Sequence, residues 1–222
     1  MKEFDPVKYR KMVRSFQERD DPTGWFDSIY RDAEGNHSHV FWADLVANPY
    51  LLEWLENHPS EKINKTAIVV GCGVGDDAEA LAEAGYKVIG FDISPSAIEL
   101  CKNRYPDSTV HYLVADLFDY DPSWFQAFDL VFECNTIQVL PGKYRVLARE
   151  AIASLVAKGG HLLASCRSRF SGEQEDMIPL PLDRQEIDRF KDSGLTEKSF
   201  LAYDDDQNPP VPHFFATYKR EG

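Results

Sequence analysis

The stretch AIVVGCGVGDDAEALAEAGYKVIGFDIS, residues 67–94, decides how this chain is read. An apolar run enters a turn with alternating glycines at Gly71, Gly73 and Gly75, two acids follow at Asp76 and Asp77, a helical pattern closes at Gly85, and a second apolar run ends at Asp92. This is strand, turn, helix, strand, the repeating unit of a parallel sheet. A glycine turn at the carboxyl end of a strand lets backbone approach a ligand closely. In a dinucleotide fold the third small residue would fall at position 76, with the pyrophosphate over the helix start. A carboxylate there repels a diphosphate, while it suits the positive end of the helix dipole. The expected ligand therefore carries no phosphate and has a cationic portion.

The same alternation continues outward. TAIVVG, YKVIGFD, TVHYLVAD, FDLVFECN and HLLASCRS read as five strands separated by helical segments. Ser94 followed by Pro95 marks a capped helix start, and LPGKYRVLAREAIASLVAKGG reads as a turn and a helix that ends at its glycines. LDRQEIDRFKDSGL then forms a short helix, and TEKSFLAYDDD and HFFATYKR are strands joined by an Asp/Asn/Pro turn. The expected fold is α/β: a Rossmann-like, doubly wound, mostly parallel seven-stranded sheet with a final antiparallel hairpin strand and helices on both faces. Residues 1–60 break the pattern, with helical segments around VKYRKMVRSFQER and NPYLLEWLENH and aromatics between them. They are expected to be a lid or substrate wall on a main domain of residues 61–222.

Composition narrows the partners. A net charge of −13 repels polyanions, so nucleic acid is not expected. The N-terminus lacks the apolar core of a signal peptide, and no segment is a long apolar run, so a cytoplasmic protein without a membrane partner is expected, monomeric or a weak homodimer. Cys72, Cys101, Cys134 and Cys166 have no metal-like spacing and sit mostly in apolar contexts, as buried reduced thiols do. No metal site is expected.

S-adenosylmethionine meets the demand of the glycine turn, because it joins an adenosine to a sulfonium and an ammonium without phosphate. Asp92, with Ile93 beside it, ends the second strand where an acid serves a ribose diol. Asp116 with Leu117 follows the third strand, placed for the adenine, and Glu133 ends the fourth. Singly these are weak signals, since Asp after a strand is commonly a turn residue. Their order along successive strands of one sheet is the specific feature.

VVGCGVGDD, GFDIS, VADLFDY and FDLVFECNTIQVLP together resemble the cofactor motifs of class I S-adenosylmethionine-dependent methyltransferases, and the closing helix and hairpin are similar to the end of that fold. The resemblance covers residues 62–166 and the tail. It implies S-adenosylmethionine bound by Gly71, Cys72, Gly73, Gly75, Asp92, Ile93, Asp116, Leu117 and Glu133. The extension, with GWFDSIY and WADLVANPYLLEWL, is most similar to the thiopurine and thiol/halide methyltransferase branch, which implies that Trp25 and Tyr30 close over the cofactor and Trp42 faces the acceptor.

The Asn-Pro-Pro-Tyr type motif of adenine and amide methyltransferases is missing at Glu133-Cys134-Asn135-Thr136, which points to a small-molecule acceptor. Methyl transfer needs in-line alignment, and a base only where the acceptor is protonated. A thiol or other soft nucleophile is the expected acceptor, with Asn135, Arg167, Tyr203 and His213 as candidate substrate residues and no side chain singled out as catalytic. The alternatives are N- or O-methylation of a metabolite, a nicotinamide-dependent oxidoreductase with a variant turn, and an inactive cofactor-binding module.

Overall fold

The structure is a computed structural model that describes residues 6–19, 21, 23–59, 64–170 and 179–222. Its seven strands, β1 (Thr66–Val70), β2 (Lys87–Asp92), β3 (His111–Val114), β4 (Phe128–Cys134), β5 (Val156–Arg167), β6 (Thr196–Asp204) and β7 (Pro212–Lys219), form one sheet in the order β3-β2-β1-β4-β5-β7-β6, and the chain divides into two compact units, residues 1–116 and 117–222.

The first unit holds helices α1 (Pro6–Gln17), α2 (Gly24–Asp32) and α3 (Pro49–Asn57), then β1 (Thr66–Val70), α4 (Asp76–Glu83), β2 (Lys87–Asp92), α5 (Pro95–Arg104) and β3 (His111–Val114). β1 pairs with β2 and β2 with β3, all parallel. Helix α5 starts where the sequence indicates: Ser94 Oγ accepts from Ala97 N at 3.1 Å, and Pro95 occupies the first turn. Asn48 caps α3 in the same manner, its Oδ1 accepting from Tyr50 N and Leu51 N. The extension shares the core of this unit, because Tyr30, Ala33 and Val40 pack in one buried cluster with Val74, Ala97 and Leu100.

The second unit contains β4 (Phe128–Cys134), α6 (Gly142–Leu155), β5 (Val156–Arg167), α7 (Arg184–Asp188), β6 (Thr196–Asp204) and β7 (Pro212–Lys219). β4 and β5 are parallel, and β7 runs antiparallel to both β5 and β6. The closing helix is shorter than its pattern suggests: α7 passes at Arg189 into a tighter 3-10 turn that ends at Gly194. β5 begins at Val156, directly after α6, and runs through Gly159 and Gly160 where the sequence suggests a helix end. The register with β4 shifts there, and a Cβ on Gly160 would meet the Phe128 carbonyl at 2.8 Å. The pair therefore marks a bulge with close backbone contact.

Register assigns the faces of this unit. Tyr218 opposes Leu162, and its hydroxyl donates to the Ile187 carbonyl at 2.9 Å, so α7 lies on the face of Leu162, Ala164 and Cys166. Glu133 opposes Ala164 and shares that face. Arg167, an odd number of positions from Leu162, belongs to the other.

Candidate functional site

The glycine turn of the first unit is built around two different needs. Gly73 and Gly75 both have positive φ, +57° and +97°, where side chains are strained. A Cβ on Gly75 would stand 2.6 Å from Tyr112 Oη and 3.2 Å from Cys101 Sγ, so that glycine serves close packing. Around Gly73 the only described atom within 4 Å of a Cβ position is Tyr30 Oη, at 3.2 Å. Backbone is therefore left open to a ligand beside Gly73 rather than beside Gly75. Cys72 and Cys101 are buried next to this turn; Cys101 Sγ donates to Gly73 O at 3.2 Å, and the Cys101 thiol, with burial, pushes the Cys72 thiol well up, keeping it neutral.

Asp92 ties this turn to the next one. Gly73 N donates to its Oδ2 at 3.1 Å and Ser94 N to its Oδ1 at 2.9 Å. Burial pushes the carboxyl up to about 6, against the backbone hydrogen bonds from Ser94 and Gly73 that favour its charge. A carboxylate offers about four acceptor positions, and the backbone N–H groups of Ser94, Gly73 and Ile93 that bond to it do not exhaust them, so a ribose hydroxyl can still be accepted. An open Gly73 face beside a buried carboxylate with spare acceptor capacity fits the ribose end of S-adenosylmethionine. Ile93 is half-buried beside Asp92; Asp116 is exposed after β3, and Leu117, buried, opens the second unit.

The acids after the glycines answer to a different cause than a cationic ligand. Both Asp76 oxygens are engaged by Arg104, at 2.6 and 2.7 Å, with Tyr105 Oη at 3.2 Å. Asp77 Oδ1 accepts from Asn48 N at 2.7 Å, and burial pushes its carboxyl up to about 6. One acid thus anchors the end of α5 and the other the start of α3. Neither partner has a spacing signature in the sequence.

From the extension, the Tyr30 hydroxyl lies against Gly73 and accepts from Trp42 Nε1 at 3.2 Å. Trp25 is fully buried, edge-on to Tyr9 and Trp42 and beside Phe26. Asp27, which sequence reasoning missed, accepts from Ser94 Oγ at 2.8 Å and from Ser96 N at 3.1 Å. Its position three residues before Tyr30, on one helix face, is the signal that was available.

In the second unit Glu133 is fully buried. Its Oε2 accepts from Thr136 N at 3.2 Å, while Oε1 has no hydrogen-bond partner among the described residues. Burial pushes this carboxyl up to about 8, outweighing the backbone donors of Thr136 and Ile137 and the Arg145 charge. Asn135 follows with φ +62°, its Oδ1 also buried without a hydrogen-bond partner among the described residues. Arg167, His213 and Tyr203 form one cross-strand row: Arg167 opposes His213 and His213 opposes Tyr203, with the latter two rings stacked at 5.4 Å. His213 Nδ1 is 2.9 Å from the Val211 carbonyl, to which it donates as N–H. Among the described residues no group of three or more His, Cys, Asp or Glu is arranged for a metal, and no helix is long and apolar enough to cross a membrane.

Residues 67–160 match the family described as a methyltransferase domain. That segment is thus similar to a methyltransferase domain, and the seven-stranded sheet has a Rossmann-like, methyltransferase-type fold. Among its relatives, the chain is 31% identical over 104 residues to a probable thiol methyltransferase 2 of Arabidopsis thaliana, covering 45% of each chain. It is 32% identical over 124 residues to a ubiquinone biosynthesis O-methyltransferase of Thiobacillus denitrificans, covering 55% of this chain and 52% of that one. The chain thus spans about half the length of these curated relatives. Its fold is similar, with a TM-score of 0.70, to 1,6-didemethyltoxoflavin-N1-methyltransferase of Burkholderia thailandensis, solved with S-adenosylhomocysteine bound, at 16% identity over all of this chain and 93% of that one.

Proposed function

We propose that this protein is an S-adenosylmethionine-dependent methyltransferase of a small molecule, with a thiol or other soft nucleophile as acceptor. The observation that carries the reading is the Asp92 carboxylate, fixed by Gly73 N and Ser94 N beside an open glycine face, inside the segment that matches the methyltransferase-domain family. Asp92 would hold the ribose hydroxyls and Gly73 would let backbone pass close to the cofactor. Gly71, Cys72 and Gly75 shape that turn and Ile93 and Asp116 serve the nucleoside, while Leu117 and Glu133 are the residues that the sequence resemblance adds to the cofactor set. Bound there, S-adenosylmethionine supplies a methyl group on a sulfonium. Residues 1–60 act as the wall or lid of the main domain, residues 61–222, with Tyr30 toward the cofactor and Trp42 toward the acceptor; Trp25, fully buried against Trp42, supports them and does not itself close over the cofactor. The protein works in the cytoplasm as a monomer or weak homodimer.

The probable thiol methyltransferase among the relatives supports sulfur as the acceptor atom. A second reading, a hydroxyl or amine acceptor, is favoured by the Arg167–His213–Tyr203 row. With Nδ1–H donated to Val211, the His213 Nε2 lone pair is left to take a proton from such an acceptor. The test is methyl transfer from labelled S-adenosylmethionine to a panel of thiols, phenols and amines. The proposal expects thiols to be methylated and His213→Ala to leave that rate within about threefold, since an ionised thiol needs no base. Turnover of phenols or amines alone, lost in His213→Ala, would favour the second reading.

A further inference from the structure

We infer that Asp27, on α2 of the N-terminal extension, is a positioning residue for the cofactor: it holds the Asp92 carboxylate in place through Ser94. The inference rests on the methyltransferase reading and adds to it a residue outside the sheet and its loops. Ser94 is fully buried and makes three bonds in three directions. Its N–H goes to Asp92 Oδ1, its Oγ accepts from Ala97 N, and its one hydroxyl proton goes to Asp27 Oδ1 at 2.8 Å. The same Asp27 oxygen accepts from Ser96 N at 3.1 Å, a donor at the start of α5 with no partner inside the helix. A carboxylate at that helix start also faces the positive end of its dipole. Burial opposes the charge of Asp27, yet the hydrogen bonds from Ser96 and Ser94, with Arg31 nearby, hold its carboxyl below the usual range.

Tyr30 is three residues on, on the same face of α2, and lies against Gly73. One helix of the extension therefore presses on both turns that meet at Asp92: on the glycine turn through Tyr30, and on the 92–94 turn through Asp27. Without Asp27 the hydroxyl of Ser94 loses its fixed acceptor and the first turn of α5 loses a cap. The backbone N–H that orients Asp92 Oδ1 then loosens with them.

The experiment is calorimetric titration of the full chain with S-adenosylhomocysteine, alongside thermal unfolding, for wild type, Asp27→Asn and Asp27→Ala. Asparagine keeps an Oδ1 that can accept both bonds, so Asp27→Asn is expected to bind within about twofold of wild type. Asp27→Ala is expected to bind about three- to tenfold more weakly at a temperature where it is fully folded, the loss of one or two hydrogen bonds. In a Ser94→Ala background the Asp27→Ala effect should shrink, because the relay is already cut. Should Asp27→Ala fail to fold, Ser94→Ala alone carries the test and is expected to weaken binding. A lowered melting temperature with unchanged affinity, in either variant, would show a merely structural role and overturn the inference. Failure of the wild type to bind S-adenosylhomocysteine takes down the methyltransferase reading and the inference with it, whereas binding that is indifferent to Asp27 and Ser94 takes down the inference alone.

Discussion

Asp92 works against its own environment. Its carboxyl is raised to about 6 because burial disfavours the charge, while the proposed ribose contact needs that charge. Two pH dependences of opposite sign follow. In the ligand-free protein the folded value lies above the ordinary carboxylate value, so the contribution of Asp92 to stability is full at low pH and is lost as pH rises from about 4 through about 6. Asp77, raised to about 6 as well, contributes in the same window. Affinity runs the other way: S-adenosylhomocysteine binding should be flat above pH 6 and weaken as pH falls through about 6, approaching tenfold per pH unit. Thermal melts with and without S-adenosylhomocysteine between about pH 5 and 8 read both, and a ligand-induced shift that is the same at both ends would contradict the assignment. The sequence exposes Asp92 because it ends a strand at the expected distance from the glycines. It does not expose the role of Asp76, whose partner Arg104 is brought beside it only when α5 folds back along the sheet.

At the scale of elements, the glycine turn separates packing from binding. Gly75→Ala would put a methyl group into Tyr112 Oη and Cys101 Sγ at a backbone angle of +97°, and is expected to destabilise the fold by about 2–3 kcal/mol. Gly73→Ala carries a left-handed strain of about 1 kcal/mol, meets only the Tyr30 hydroxyl, and should leave the protein folded while binding of S-adenosylhomocysteine falls sharply. Urea unfolding with parallel binding assays distinguishes the two, and equal effects of both substitutions on stability and on binding would contradict the division of labour. Helices α4 and α5 are legible because acids and a Ser-Pro pair announce their starts. The start of β5 is not, since Gly159 and Gly160 look like a helix terminator until the bulge against Phe128 is seen. Asp27 is hidden for a related reason: its bonds reach Ser94 and Ser96 across a long stretch of chain, and an Asp in the first turn of a helix is unremarkable by itself.

For the molecule as a whole, the mostly parallel seven-stranded sheet and the antiparallel β7 were legible in five strand–helix repeats closed by a hairpin, whereas the order β3-β2-β1-β4-β5-β7-β6 is seen only in the structure. The extension was less legible, because its aromatics look alike whether they fill a core or line a pocket. Within the first unit they do different things, Trp25 filling the aromatic cluster while Tyr30 touches the glycine turn. The proposed function requires that S-adenosylmethionine, and not a dinucleotide, is held through Asp92. The most direct measurement is calorimetric titration of wild type and Asp92→Ala with S-adenosylhomocysteine and, in parallel, with NADH. One-to-one binding of S-adenosylhomocysteine is expected, with a loss of about 1.5–3 kcal/mol in folded Asp92→Ala, the range for hydrogen bonds to a charged group, and no NADH binding. Binding of NADH in preference to S-adenosylhomocysteine, or an Asp92→Ala protein that binds as the wild type does, would contradict it.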